Sequence, residues 1–380
     1  MESEASNRKT SQKASKFAFV FLGIAVLFIW IQSLFEFIPD VPLKGYFEEI
    51  KEPTWTINHW LSGKYQLQTE EVISRDWGLA SQSIVNYNQW NFNLFRKSSS
   101  PYVVIGKEDV LVERVYLDAY NGWNYVGDSV VEDKIKKLVW LRDTLKATGT
   151  ELLIIIPPNK MAFYAEAFPK EVLFPYRKTN RLAYTEQFEK HGIHFIDYTI
   201  AFKENYSQLQ APLFSDIGTH WSYYGASVAN EYLFSKITQI NPEFSIETKI
   251  GDVYIGPLEG SETDLADLLN LRYPLHAPYT GKASFKVEAK DPKPSALIIG
   301  DSFHWTMVQN GEAKKAYSDH AFWYYFDQEF VYGQPTNFHP KSEVLLPRIQ
   351  NYDFLLLEIA DPNLDYFSWG FIDKVYLQKD

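Results

Sequence analysis

Apolar positions along this chain follow two patterns. The first is a single long run, Phe17 to Phe35, broken only by Gln32 and Ser33 near its end. As a helix its 19 residues come close to the roughly 30 Å of a hydrocarbon core. The second pattern starts at about residue 101, where short apolar runs alternate with helical periodicity. "PYVVIGKEDVLV" holds two β-rich pieces around Gly106, and "EDKIKKLVWLRDTLKATG" reads as a helix with Gly149 as its cap. "ELLIIIPP" is a strand closed by two prolines. "TNRLAYTEQFEKHG" and "YYGASVANEYLFSKI" read as helices, and "IHFIDY", "SALIIG" and "YDFLLLEI" as strands. These strands do not alternate apolar with polar residues, so they are expected to be covered on both faces, as in parallel sheets. The pattern predicts an α/β protein. A three-layer α/β/α domain with a mostly parallel sheet spans 101–380, and 241–294 reads as an insertion. Residues 36–100, rich in aromatics, read as helical packing material.

Residues 1–16 carry Arg8, Lys9, Lys13 and Lys16, the flank that stays cytoplasmic. A cleaved signal peptide has a shorter apolar centre followed by a small-residue site. Here "EFIPDVPLKGYFEE" follows instead. The reading is therefore a retained transmembrane helix over 17–35, with everything beyond about residue 40 outside the cytoplasm. Composition narrows the remaining classes. Net charge is −11, with no basic block after position 20, which argues against a nucleic-acid partner. The chain has no cysteine, which excludes disulfides, thiolate metal sites and thiol nucleophiles.

The chemistry-bearing stretches are "ALIIGDSFHWTM" and "SDIGTHWSYYGA". In open parallel sheets, ligands collect beyond the carboxyl ends of strands, and Ser302 falls at such an end. The amides that open the following helix, its own among them, face the place where an oxyanion would develop. A serine hydroxyl needs a general base, and that base needs an orienting group. His220 is the candidate base, and Asp216, four residues earlier, the candidate third member. Each has a plain alternative: Asp-Ser pairs cap helices, and a histidine beside a tryptophan is often simply packed. Asn159 and Lys160 follow another strand end. They are candidates for an oxyanion contact and for meeting an acidic sugar, or they fix the chain after the prolines. Asp301 and His304 flank the serine as possible cleft residues, with turn formation and packing as their alternatives. His191 and His194 have a metal-like spacing but no cysteine beside them, so neither metal nor cofactor is expected.

Four stretches in order, "VVIGKEDVLV", "LLIIIPPNKMAFYAEAFP", "GTHWSYYGA" and "LIIGDSFHW", give the chain its resemblance. It resembles the AlgX/AlgJ-like branch of SGNH-type hydrolases over roughly 60–360. The resemblance implies a bacterial inner-membrane protein with a periplasmic α/β/α domain, Ser302 as nucleophile and His220 as base. It implies acetyl transfer to, or acetyl-ester hydrolysis on, an envelope or exported polysaccharide, with a membrane-bound O-acyltransferase as partner. The family places an aspartate two residues before the histidine, where this chain has Gly218. The alternative is a non-catalytic polysaccharide-binding scaffold of an acetylation or secretion complex.

Overall fold

The computed structural model describes residues 2–45, 51–75, 77–174, 177–275, 279–308 and 311–379, with backbone alone at 2–12, 206 and 312. The chain divides into two units: residues 1–99 with 267–274, and residues 100–266 with 275–380. Residues 46–50 and 76 of the aromatic region lie outside the described residues.

In the first unit one helix, Glu2–Phe35, contains the apolar run. Within its stretch Lys13–Phe35 an 18-residue window reaches a mean hydropathy of 2.4, and the stretch is long and apolar enough to cross a membrane. Gln32 and Ser33, the two polar positions near its end, are both used. The Gln32 side chain holds both backbone groups of Ile38, at 2.7 and 3.0 Å, and Ser33 Oγ accepts from Gly78 N at 2.8 Å. Helices Lys64–Arg75 and Ala80–Phe95 follow. The second of these buries Val85, Asn88, Gln89 and Phe92. Asn88 and Gln89 bond to the 267–274 segment.

The second unit has strands β1 (Val103–Ile105), β2 (Leu111–Glu113), β3 (Glu151–Ile156), β4 (His194–Asp197), β5 (Ile246–Gly256) and β6 (Thr280–Ala289). It continues with β7 (Ser295–Gly300), β8 (Asp319–Tyr324), β9 (Gln328–Val331), β10 (Gln334–Pro335) and β11 (Phe354–Glu358). The central sheet has the order β10-β9-β8-β7-β11-β3-β4. Pairings from β8 through β4 are parallel, and β9 and β10 add antiparallel strands at one edge.

The non-alternating runs have a direct explanation. Leu153, Ile155, Ala296, Ile298, Phe354 and Leu356 enter one core, and Leu152, Ile154, Leu297, Ile299, Leu355 and Leu357 enter the other. Helix Tyr223–Ile240 and the short helix Phe303–Val308 cover the first face. Helices Asp128–Lys146, Asn180–His191 and Phe371–Leu377 cover the second. Each Leu, Ile or Phe among these strand residues contributes roughly 1.5–3 kcal/mol on burial, so the paired cores fix the register of the strands. The 241–294 segment is a long antiparallel hairpin, β5 with β6. The turn between its strands carries a short 3₁₀ segment, Gly260–Thr263, running into helix Asp264–Leu268.

Candidate active site

Ser302 stands between β7 and helix Phe303–Val308, half-buried at the carboxyl end of the central parallel strands. Gly300, the last strand residue, lets β7 lie close to β11: a Cβ there would meet Glu358 Cβ at 3.0 Å. Asp301 secures the turn from below. Its carboxylate accepts from Phe303 N (3.2 Å), Ala360 N (2.8 Å) and Asn363 Nδ2 (2.9 Å). Burial and the nearby Glu358 push this carboxyl up to about 6, against the pull of those three bonds.

The loop bearing His220 is locked on both sides. Phe214 and Trp221 form a β-bridge, and Ser222 caps helix Tyr223–Ile240 by accepting from Gly225 N at 3.0 Å. Gly225 is required there because a Cβ would stand 2.5 Å from Leu213 O. Phe303 and the His220 ring pack with centroids 4.8 Å apart.

These constraints bring the two side chains together. His220 Nε2 lies 2.7 Å from Ser302 Oγ. The other ring nitrogen, Nδ1, lies 2.7 Å from Oδ2 of Asp264, and Oδ1 of the same carboxylate accepts from Thr219 N at 2.7 Å. The carboxylate on the imidazole is therefore that of Asp264, not Asp216. Asp216 works through its backbone carbonyl, which accepts from Leu111 N at 2.8 Å and from Lys160.

Asp264 arrives from the β5–β6 hairpin, whose turn is fastened by a buried pair. Glu262 accepts from Lys282 Nζ at 2.9 Å, from Glu259 N at 2.9 Å and from Tyr223 N at 3.2 Å. Gly218 is the seat for this turn. A Cβ at Gly218 would lie 2.7 Å from Glu262 O and 2.9 Å from Ser261 O, so an aspartate at that position would collide with the segment that supplies Asp264. Ala266 N donates to Ile217 O at 3.1 Å just beyond.

The other candidate residues do not face a cleft. Lys160 is 1% exposed, and its ammonium donates to the carbonyls of Leu111, Ser215, Asp216 and Gly218 at 2.7–2.9 Å. Burial draws it down to about 7, opposed by the charges of Asp216 and Asp264. It ties β2 to the histidine loop and cannot reach an acidic sugar. Asn159 donates to Tyr116 O and Asp361 Oδ2 and accepts from Met161 N, so its amide is committed and is no oxyanion donor. Asp301 anchors the turn, as described. His304 is buried behind the serine, with Nδ1 2.8 Å from Glu358 Oε2 and Nε2 3.1 Å from His320 Nε2. Burial pulls both imidazoles down to about 3.

Two residues that sequence reasoning missed complete the surroundings. Tyr325 lies beside Ser302, and burial, with Asp301 nearby, holds its proton firmly. Tyr325 and Phe326 both have left-handed backbones, φ 48° and 55°. Such strain persists only where the surroundings enforce it. Here Tyr325 N donates to Gly300 O at 2.9 Å and the ring packs on Trp369 at 5.2 Å. The second residue is Glu113, at the end of β2, whose carboxyl is raised by burial and by Asp264 and lowered by His220 and a hydrogen bond with Thr219. Two hollows of about 380 Å³ each adjoin one another along Leu209 and Gln210. Neither is lined by Ser302, His220 or Asp264.

Residues 116–303, which contain all three of these side chains, match the family described as SGNH hydrolase-like domain, acetyltransferase AlgX. The chain carries an AlgX-type SGNH hydrolase-like domain. No protein of curated function matches the sequence. Among solved structures, the AlgX-type domain is similar to the O-acetyltransferase domain of Pseudomonas putida AlgJ, at 19% identity and a TM-score of 0.46, over 74% of this chain and 100% of that one. Pseudomonas aeruginosa AlgX is similar at 18% identity and 0.46, over 73% and 69%. Bacillus cereus PatB1 is similar at 14% and 0.46, over 71% and 99%. Similarity of this domain to that family supports an acyltransferase or esterase.

Proposed function

We propose that this chain is a membrane-anchored, extracytoplasmic O-acetyltransferase or acetylesterase acting on a cell-envelope or exported polysaccharide through an acetyl-serine intermediate. The observation that carries the reading is the continuous hydrogen-bond chain from Ser302 Oγ through His220 to Asp264, 2.7 Å at each step.

Ser302 Oγ attacks the carbonyl carbon of an acetyl donor as His220 Nε2 takes the hydroxyl proton. Asp264 accepts a hydrogen bond from Nδ1–H, which fixes the proton on that nitrogen and leaves Nε2 free to act as base. It also stabilises the imidazolium that forms. The tetrahedral intermediate places negative charge on the former carbonyl oxygen. The Tyr325 hydroxyl supports that charge by donation, in a partly buried setting where such a bond counts for more. Collapse returns the proton from His220 to the leaving group and leaves acetyl on Ser302. An acceptor alcohol, deprotonated by the same nitrogen, then attacks the acetyl carbon. Ser302 departs and recovers the proton. A sugar hydroxyl as acceptor gives transfer; water gives acetate.

The helix Lys13–Phe35 supports a single-pass anchor, and the basic residues before it support an outward-facing domain. On this reading the acetyl donor comes from a membrane-bound O-acyltransferase, and the shared membrane raises the effective concentration of the two proteins. The full chain in detergent is expected to release 4-nitrophenol from 4-nitrophenyl acetate and to move acetyl onto added oligosaccharide, with both activities lost in Ser302→Ala. Wild type and variant equally inert, with polysaccharide still bound, would favour the scaffold reading instead.

A further inference from the structure

Helix Ala80–Phe95 has two apolar faces. One, with Val85 and Phe92, is packed within its own unit. The other carries Ile84, Tyr87, Trp90 and Leu94 at helical spacing and continues to Phe95. Tyr87 is 63% exposed, Trp90 69%, Leu94 71% and Phe95 65%. The sixteen residues include no Asp, Glu, Lys or Arg, and Arg96 and Lys97 follow at once. An exposed helix of a water-soluble surface normally carries charge on its outer face. This one carries aromatics, leucine and amides with a basic pair at one end.

Three hydrogen bonds say where the helix begins. Gly78, two residues before it, packs its backbone on Ser33 of the membrane-crossing candidate, where a Cβ would stand 2.5 Å from Ser33 N, and donates to Ser33 Oγ at 2.8 Å. In its first turn, Ser81 donates to Asp40 Oδ1 at 2.8 Å, and Gln82 donates to Pro39 O at 2.7 Å. The helix therefore starts against the last turn of the anchor and the few residues that leave it. If Lys13–Phe35 spans the bilayer, that level is the boundary between acyl chains and headgroups, where tryptophan and tyrosine concentrate.

We propose that the outward face of Ala80–Phe95 lies in the phospholipid interface, with Tyr87, Trp90 and Leu94 among the upper acyl chains and Lys97 at the phosphates. The inference rests on the anchor reading. It adds a second membrane contact that restrains the first unit against free swivelling about its tether. The partner it names is a lipid surface, not a protein groove.

The absence of native cysteine makes the test clean. Full-length Leu94→Cys and, separately, Gly23→Cys are labelled with nitrobenzoxadiazole and reconstituted into phosphatidylethanolamine–phosphatidylglycerol vesicles. Leu94 is exposed, and a Cβ at Gly23 meets nothing within 4 Å, so neither change disturbs packing. The Leu94 label is expected to emit to the blue, to lose about half its emission or more to lipids bearing a nitroxide near the headgroup, and to resist aqueous iodide. The Gly23 label is expected to respond to nitroxides deep in the acyl region. A Gly23 label that senses lipid while the Leu94 label is quenched by iodide overturns this inference and leaves the anchor standing. Neither label sensing lipid overturns the anchor and the inference with it. Protection at Leu94 that appears only after membrane proteins are added overturns it in favour of a protein partner.

Discussion

Asp264 reaches His220 across 44 positions of sequence, with its Oδ2 2.7 Å from Nδ1, and Gly218 makes room for it. The carbonyl of Glu262 would lie 2.7 Å from any Cβ placed at 218. The acid of this site is thus delivered by the turn of the β5–β6 hairpin, not by the loop that holds the histidine. Asp264→Asn is expected to keep the fold and lower kcat for acetyl-ester cleavage by about 10³–10⁴-fold, because the imidazole loses its enforced tautomer. Asp216→Asn is expected to stay within about threefold of wild type, since its bonds to Leu111 and Lys160 come from the backbone. Steady-state kinetics on the two variants separates the assignments.

Restoring an aspartate two positions before the histidine is expected to harm the protein. Gly218→Asp forces the Ser261–Glu262 backbone away and costs about 1–3 kcal/mol. It should not rescue Asp264→Asn, because the turn that it displaces also carries Asp264. Urea unfolding of the single variant and kinetics of the double variant check both halves.

Much of the fold could be read in advance, and the reasons are local. Runs such as "ELLIIIPP" and "SALIIG" lack alternation because their two sides enter two different cores, and that property is written in consecutive residues. Ser302 and His220 could be picked out because each sits in a short motif beside a strand end or a helix start. Asp264 could not. It lies in a hairpin turn whose docking on Gly218 is a long-range event with no spacing rule, and the only hint was a glycine where the resemblance calls for an acid. Lys160 misled for a related reason. A lysine after two prolines reads as exposed, and only the convergence of four carbonyls from β2 and the histidine loop makes a buried ammonium tolerable. Tyr325 belongs to no motif, and its left-handed backbone is invisible in sequence.

Tyr325→Phe removes the hydroxyl beside Ser302 and keeps the ring on Trp369. Its expected effect is a fall in kcat of about 10²-fold with KM nearly unchanged, the signature of a donor used mainly in the transition state. An unchanged kcat would remove this residue from the mechanism.

The buried cluster behind the serine gives a prediction for pH. His304 and His320 are drawn down to about 3 by burial, so they stabilise the fold above their unfolded value of 6.5, and that stability drains away as pH falls below it. Glu358 is raised well above 4.5 by burial. Its proton is held in the fold, so its contribution is present at low pH and lost as pH rises. Between pH 6.5 and 4.5 the two tendencies oppose each other. Glu358→Gln removes the second, and stability measured by urea unfolding should then fall more steeply on acidification, by up to about 1.4 kcal/mol per pH unit relative to wild type.

The most direct test of the account is to trap the intermediate. Full-length protein is mixed with 4-nitrophenyl acetate, quenched in acid within the first turnovers and digested, and the peptide containing Ser302 is read by mass spectrometry. One acetyl group on Ser302 is expected in wild type, much slower acetylation in Asp264→Asn, and none in His220→Ala. A Ser302 peptide that stays unmodified while ester is being cleaved, or acetylation that proceeds equally in all three proteins, would contradict it.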